Sequence, residues 1–163
     1  MNKFEIVGQK IANHSNIKQV LAFWRFHKYR IVFTNGCFDI LHRGHIEYLA
    51  KASSYGDILI IGLNSDKSVK SIKGPTRPLQ DETTRSLILA SLQFVDKVIL
   101  FDEDTPYELI KLIQPDVLVK GADYKPEQIV GYDIVKAKGG EIVTVELTKG
   151  HSTTGIINKM NQS

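Results

Sequence analysis

The stretch Ile31-Val32-Phe33-Thr34-Asn35-Gly36-Cys37-Phe38-Asp39-Ile40-Leu41-His42-Arg43-Gly44-His45-Ile46 passes from an apolar, β-branched run through a glycine-bearing loop into a segment of helical spacing. An apolar run without polar alternation suits a strand covered on both faces, so the stretch is a strand–loop–helix unit. The pattern recurs: Asp57 to Leu63, Lys97 to Phe101, Val117 to Lys120 and Glu141 to Glu146 read as further strands, with helical segments between them. Ile46, Leu49 and Ala50 mark one helical face, and Leu87, Ala90 and Ser91 another. Thr105 followed by Pro106 has the form of an N-cap with proline at the first helical position. The series predicts an α/β fold: a single Rossmann-like domain over residues 1–163, with a five-stranded parallel sheet and helices on both faces. Ile17, Val20, Leu21 and Trp24 fall at i, i+3, i+4 and i+7, so residues 1–30 are expected to form an N-terminal helical segment packed on that domain.

Composition agrees with one soluble core: 163 residues, 42% hydrophobic and 24% charged. The longest apolar stretch, Ile58 to Leu63, is far short of the roughly 20 residues that cross a bilayer, and the polar start Met1-Asn2-Lys3-Phe4-Glu5 has no signal-peptide apolar block. A cytoplasmic protein without a membrane partner is expected. The single cysteine, Cys37, excludes an internal disulfide framework and a four-cysteine zinc site. Twenty-one Lys and Arg against eighteen Asp and Glu leave a scattered +3, which is no nucleic-acid footprint and suits a small anionic substrate.

An open parallel sheet binds ligands beyond the carboxyl ends of its strands. The loop Asn35 to His45 occupies that place, with two histidines three apart at the start of a helix, beside free backbone N–H groups and a positive dipole end. This pattern predicts an anion site, with Gly44 clearing space for a phosphate and Gly36 permitting a sharp turn off the strand. Zinc ligation by Cys37, His42 and His45 is the rival reading, but the spacing matches no common zinc pattern. Neither a G-x-x-x-x-G-K-[ST] loop nor a G-x-G-x-x-G fingerprint occurs. Ser152, Thr153 and Thr154 put three hydroxyls at a helix start, suited either to phosphates or to ordinary N-capping. Lys67, Lys70 and Lys73 form a basic edge on a presumed helix from Ser65 to Ile72; Lys67 is read as solvated and Lys73 as reaching an acceptor phosphate. Arg77 and Arg85 are candidate forked phosphate donors, with a structural ion pair as the alternative for Arg85.

The G-x-F-D-x-x-H-x-G-H pattern resembles the cytidylyltransferase-like nucleotidyltransferase superfamily, and within it the D-glycero-β-D-manno-heptose 1-phosphate adenylyltransferases. The likeness is carried by Phe33 to Asp39 with His42 and His45, by Gly74-Pro75-Thr76-Arg77-Pro78, by Lys120-Gly121-Ala122-Asp123-Tyr124-Lys125-Pro126 and by Ser152-Thr153-Thr154. The cytidylyltransferase branch has G-T-F-D and R-T-E-G elements where this chain has Gly36-Cys37-Phe38-Asp39 and Lys149-Gly150-His151.

The resemblance implies transfer of AMP from ATP to a sugar 1-phosphate, with release of pyrophosphate. It assigns His42 and His45 to charge stabilisation, with Lys73 set beside them as a catalytic candidate because it abuts the Gly74 to Arg77 loop; Asn35, Gly36, Cys37, Phe38, Gly44, Lys120, Gly121, Asp123, Ser152, Thr153 and Thr154 are expected at the nucleotide. Asp39, Arg77 and Arg85 fall to the acceptor or its loop. It further implies Mg²⁺ bridged through the triphosphate with no protein metal ligand, a homodimer, and a separate heptose kinase upstream. His151 is expected at the surface, and Lys159 stands near where the cytidylyltransferase branch often has an arginine. Glycerol 3-phosphate cytidylyltransferase, FMN adenylyltransferase and a nonenzymatic nucleotide-binding protein remain as alternatives.

Overall fold

The computed structural model describes residues 2–148 and 150–161. The elements run α1 (Lys3–Gln9), β1 (Ile11–Ala12), α2 (Ile17–Phe26), β2 (Ile31–Gly36), α3 (Arg43–Ser53), β3 (Ile58–Asn64), α4 (Asp66–Lys73), α5 (Glu82–Ala90), β4 (Lys97–Phe101), α6 (Tyr107–Ile113), β5 (Val117–Gly121), a 3₁₀ turn (Pro126–Gln128), α7 (Tyr132–Ala137), β6 (Glu141–Val145) and α8 (Thr153–Asn161). The strands form one sheet in the order β1-β4-β3-β2-β5-β6, each neighbouring pair parallel.

Alternate residues of the central strands feed two separate cores. Ile31, Phe33, Ile58 and Ile60 face Ile17, Leu21 and Trp24 of α2 together with Leu109, Ile110 and Ile113 of α6. Val32, Leu59, Ile61 and Leu63 face Leu49 and Ala52 of α3 and Leu89 and Ala90 of α5. A parallel sheet covered on both faces is therefore borne out, and it explains why β3 is buried at every position. Reciprocal clips set the registers at the amino ends of the strands. Asp57, Asp96 and Asp116 each donate a backbone N–H to a neighbouring chain and accept another N–H on the carboxylate, from Arg30, Leu59 and Ile31 at 2.7, 2.7 and 2.8 Å.

Four details differ from the sequence reading. The sheet has six strands, because Ile11 and Ala12 pair with Val98 and Ile99 of β4; two residues carry no periodicity to reveal them. Residues 1–30 thus contribute an edge strand as well as helices. The N-cap of α6 is Pro106 rather than Thr105. Ser91 lies outside the buried face of α5, where it ends the helix and its hydroxyl donates to the Leu87 carbonyl at 2.8 Å.

Candidate active site

From β2 the chain builds outward through β3 and β4, then crosses back to place β5 on the other side of β2, so the order reverses between β2 and β5. The β2–β5 ladder consists of Val32↔Val117 and Phe33↔Leu118. Beyond it, side chains bridge the parting strands. The Tyr48 hydroxyl lies 2.8 Å from Thr34 Oγ1 on β2 and donates to the Val119 carbonyl on β5 at 3.2 Å, while Lys120 Nζ donates to Asn35 Oδ1. The opening is a cavity of about 410 Å³, walled by the histidine loop, the ends of β2 and β5, Lys73, Arg77 and Thr153.

The histidine loop is shaped by packing as much as by glycine. Phe38, not Gly36, takes the left-handed backbone conformation, at φ 44°. Its ring folds back, so that a Cβ on Gly36 would lie 2.9 Å from Phe38 Cε2; Gly36 is needed for space rather than for the turn. The Phe38 ring then meets His45 edge-on at 5.2 Å. His42 is the N-cap of α3 and His45 follows in its first turn, their rings stacked at 3.8 Å and 21°. Gly44 makes this possible, since a Cβ there would stand 3.2 Å from the His42 ring and 3.3 Å from His151 Cβ. The Nδ1 atoms of both His42 and His45 are buried without hydrogen-bond partners.

Burial first, and His151 second, lowers the basicity of His42. Burial, then the proximity of His42 and Lys73, pushes His45 down to about 4, against an opposing hydrogen bond to Ile40. At neutral pH His45 is therefore a neutral imidazole rather than a cation. Between about pH 6.5 and 4 the unfolded chain takes up a proton at this position that the folded chain refuses. Stability contributed here is complete above 6.5 and declines as pH falls toward 4. His45→Gln is expected to lose less melting temperature than the native chain between pH 7 and 4.5; identical pH slopes would contradict the assignment.

Two of the residues expected at the acceptor hold the loops instead. Asp39 is buried and accepts from Arg77 Nε at 2.7 Å, Leu79 N at 2.9 Å and Gln80 N at 3.0 Å. Burial opposes its ionisation, but the N–H groups of Gln80 and Leu79 and the Arg77 guanidinium hold its carboxyl below the usual carboxylate range. Its oxygens are thus committed to the 77–80 loop. Arg85 is fully buried, donating to the carbonyls of Gln80, Cys37 and Asn64 at 3.0, 2.6 and 2.8 Å and to Asp66 at 2.8 Å. The phosphate role for Arg85 is corrected to a structural one, the alternative weighed for it. Arg77 differs, since its Nη2 is buried without a partner and the residue lines the cavity.

Lys120 stands at the cavity floor, and burial pushes its amine down to about 8. Asn35, Gly36, Cys37, Phe38, Gly121 and Asp123 also line the cavity, and burial pushes the Cys37 thiol up, away from a reactive thiolate. Lys73 lines the opposite wall, while Lys67 and Lys70 are exposed on α4. The three hydroxyls at α8 divide their work: Ser152 Oγ caps the helix by accepting from Gly155 N at 3.0 Å, Thr153 Oγ1 donates to the Ile40 carbonyl at 3.4 Å, and Thr154 is exposed. Lys149 lies outside the described residues. Among the described residues, no group of three His, Cys, Asp or Glu is disposed to hold a metal, and no helix is long and apolar enough to cross a membrane.

The sequence reading singles out neither Tyr48 nor Leu147 at the mouth, and it names Tyr124 only within the Lys120 to Pro126 element, with no role of its own. Tyr48 had a legible signal, the three-residue step from His42 through His45 to the next turn of the same helix face. A further cleft of about 470 Å³ lies at the amino ends of β2, β5 and β6, but its Arg25, Arg30 and Lys138 are engaged by the Ile113 carbonyl, Glu141 and Asp116.

The crevice at the strand-order reversal is lined by the buried Lys120 and by His45, with the His42 ring stacked on His45. Residues 33–159 match the cytidylyltransferase-like family model, and the chain belongs to that family. It is 53% identical over 152 residues to the bifunctional protein HldE of Caulobacter vibrioides, covering 93% of this chain and 32% of that protein. The bifunctional protein HldE of Magnetococcus marinus is 50% identical over 154 residues, with 94% and 32% covered. The chain thus spans about a third of the length of these curated relatives. A crystal structure of the lipopolysaccharide core biosynthesis protein from Thermoplasma volcanium superposes with a TM-score of 0.59 at 28% identity, over 76% of this chain and 99% of that one. Pantoate-beta-alanine ligase from Francisella tularensis, with a TM-score of 0.53 and 22% identity over 94% of this chain and 78% of that one, shares the fold.

Proposed function

We propose that this chain transfers AMP from ATP to D-glycero-β-D-manno-heptose 1-phosphate, forming ADP-heptose and pyrophosphate for lipopolysaccharide core synthesis. The observation that carries nucleotidyl transfer is the convergence of His45, Lys73, Arg77 and Lys120 on one cavity, with His42 stacked behind His45. The heptose assignment is supported by the likeness to the bifunctional proteins HldE and to the lipopolysaccharide core biosynthesis protein. ATP as donor places the reaction in the cytosol, after a kinase that phosphorylates the heptose.

An oxygen of the acceptor phosphate forms a bond to the α-phosphorus as the α–β bridging bond breaks, and pyrophosphate leaves with the electron pair. A sugar phosphate with a second pKa of about 6 is already mostly ionised at neutral pH, so no general base is required. Positioning and charge stabilisation dominate such transfers. In this reading His42 and His45 donate N–H hydrogen bonds to the triphosphate, Lys120 holds the nucleotide phosphates, and Lys73 with the unpartnered Arg77 Nη2 receives the acceptor. Asp39 acts through Arg77 as a positioning residue. Mg²⁺, when bound, would supply countercharge to the phosphates; the Asp39 carboxylate is committed to N–H donors and is not free to hold it, which fits an ion carried by the nucleotide. The base is assigned to an adjoining cavity of about 180 Å³ between the loops after β4 and β5, lined by Thr105, Pro106, Tyr124 and Ile129 and meeting the main cavity at Lys120.

Substrate choice is tested by pyrophosphate release under matched Mg²⁺. A site built to hydrogen-bond heptose hydroxyls rejects a three-carbon acceptor, because buried donors and acceptors are left unpaired. ATP with heptose 1-phosphate is expected to react far faster than CTP with glycerol 3-phosphate or ATP with FMN. Faster formation of CDP-glycerol or FAD would overturn the heptose assignment and leave nucleotidyl transfer standing.

A further inference from the structure

We propose that His151 is a third imidazole of the triphosphate site, binding the pyrophosphate portion of the nucleotide. This rests on the nucleotidyl-transfer reading and adds a residue outside the Ser152-Thr153-Thr154 element, exposed in the structure as the sequence reading expects.

The geometry is a cluster of three rings about His42. Its ring stacks on His45 at 3.8 Å and 21°, and His151 lies 6.5 Å from it at an interplanar angle of 23°. The gap to His151 is the wider of the two. Gly44 leaves room for this approach, because a Cβ there would lie 3.3 Å from His151 Cβ. Gly150, at φ 83°, takes a left-handed conformation immediately before His151.

The segment is tied down on both flanks. Thr148 Oγ1 donates to Glu47 on α3, which also accepts from Arg43 at 2.5 Å, and Thr153 Oγ1 donates to the Ile40 carbonyl at 3.4 Å. His151 is therefore brought over the start of α3 by contacts on each side of it. Two helix starts meet there, α3 capped by His42 and α8 capped by Ser152, and their positive ends favour an anion. The buried, unpartnered Nδ1 of His42 belongs to the ring that lies near both of the others.

Position separates this contact from the acceptor. Lys73 and Arg77 line the main cavity from the 73–80 side, whereas His151 lines an adjoining cleft of about 490 Å³ that shares Asp123 and Leu147 with it. A nucleotide with its α-phosphate beside His45 directs the leaving phosphates toward α8 and His151.

The full chain is compared with His151→Ala and His151→Lys, using inorganic pyrophosphate and AMP as separate probes in direct binding measurements, with KM for ATP from the forward reaction. His151→Ala is expected to weaken pyrophosphate binding and raise the KM for ATP by about 10-fold, the scale of one hydrogen bond to a charged group. AMP affinity and melting temperature stay unchanged, and His151→Lys restores pyrophosphate binding. Native pyrophosphate affinity in His151→Ala overturns the proposal, as does equal loss of AMP and pyrophosphate binding without rescue by lysine. A native chain that binds neither ATP nor pyrophosphate overturns the nucleotidyl-transfer reading itself, an outcome distinct from the first.

Discussion

Alanine at His42 or His45 lowers turnover roughly 100-fold or more, the scale of losing one preorganised donor to developing charge. Pyrophosphate release at saturating ATP and acceptor measures it, with melting temperature as the control for folding. The two rings stack directly, and the Nδ1 atom of each is buried without a partner in the protein. His45 is held neutral by burial, which leaves it an N–H donor rather than a cation at neutral pH. Because the rings act as a unit, the double variant should lose little more than the worse single variant. Near-native turnover in either single variant, with melting temperature unchanged, would remove the histidines from the reaction.

Arg85→Ala costs about 3 kcal/mol of stability, a fall in melting temperature of roughly 10 °C for a chain of this size. The side chain is fully buried and donates to three carbonyls, from Gln80, Cys37 and Asn64, and to the Asp66 carboxylate. Truncation leaves those carbonyls without a donor and opens a void between the histidine loop and the 77–80 loop. Arg85→Lys keeps the charge but loses the fork, so it should rescue only part of the loss. Chemical denaturation measures both variants. Were Arg85 a ligand of the acceptor phosphate, stability would hold and only the KM for the acceptor would rise.

These residues show how far sequence reading reaches. The placement of His42 and His45 side by side at the start of α3 was legible because it depends on local facts: a three-residue step on a helix start, and a loop after an apolar strand in a parallel sheet. Arg85 was not, because an arginine in a helix looks the same whether it faces solvent, a phosphate or three backbone carbonyls of distant loops. Asp39 belongs with it, since its partners at Arg77, Leu79 and Gln80 are about forty residues away along the chain. His151 is the reverse case, unremarkable in sequence and placed beside His42 only by the return of the chain from β6.

The order of the residues determined the two-sided parallel sheet, the two apolar faces that sandwich it and the loop that carries the histidines, because hydrophobic period and short-range spacing are written along the chain. Only the tertiary structure decided the sixth strand, the commitment of Asp39 and Arg85 to holding loops, and the bridge of Tyr48 between Thr34 and Val119 at the mouth of the crevice. Each of these depends on which distant groups become buried together, and a buried charge or hydroxyl takes whichever partner the packing brings within hydrogen-bond reach.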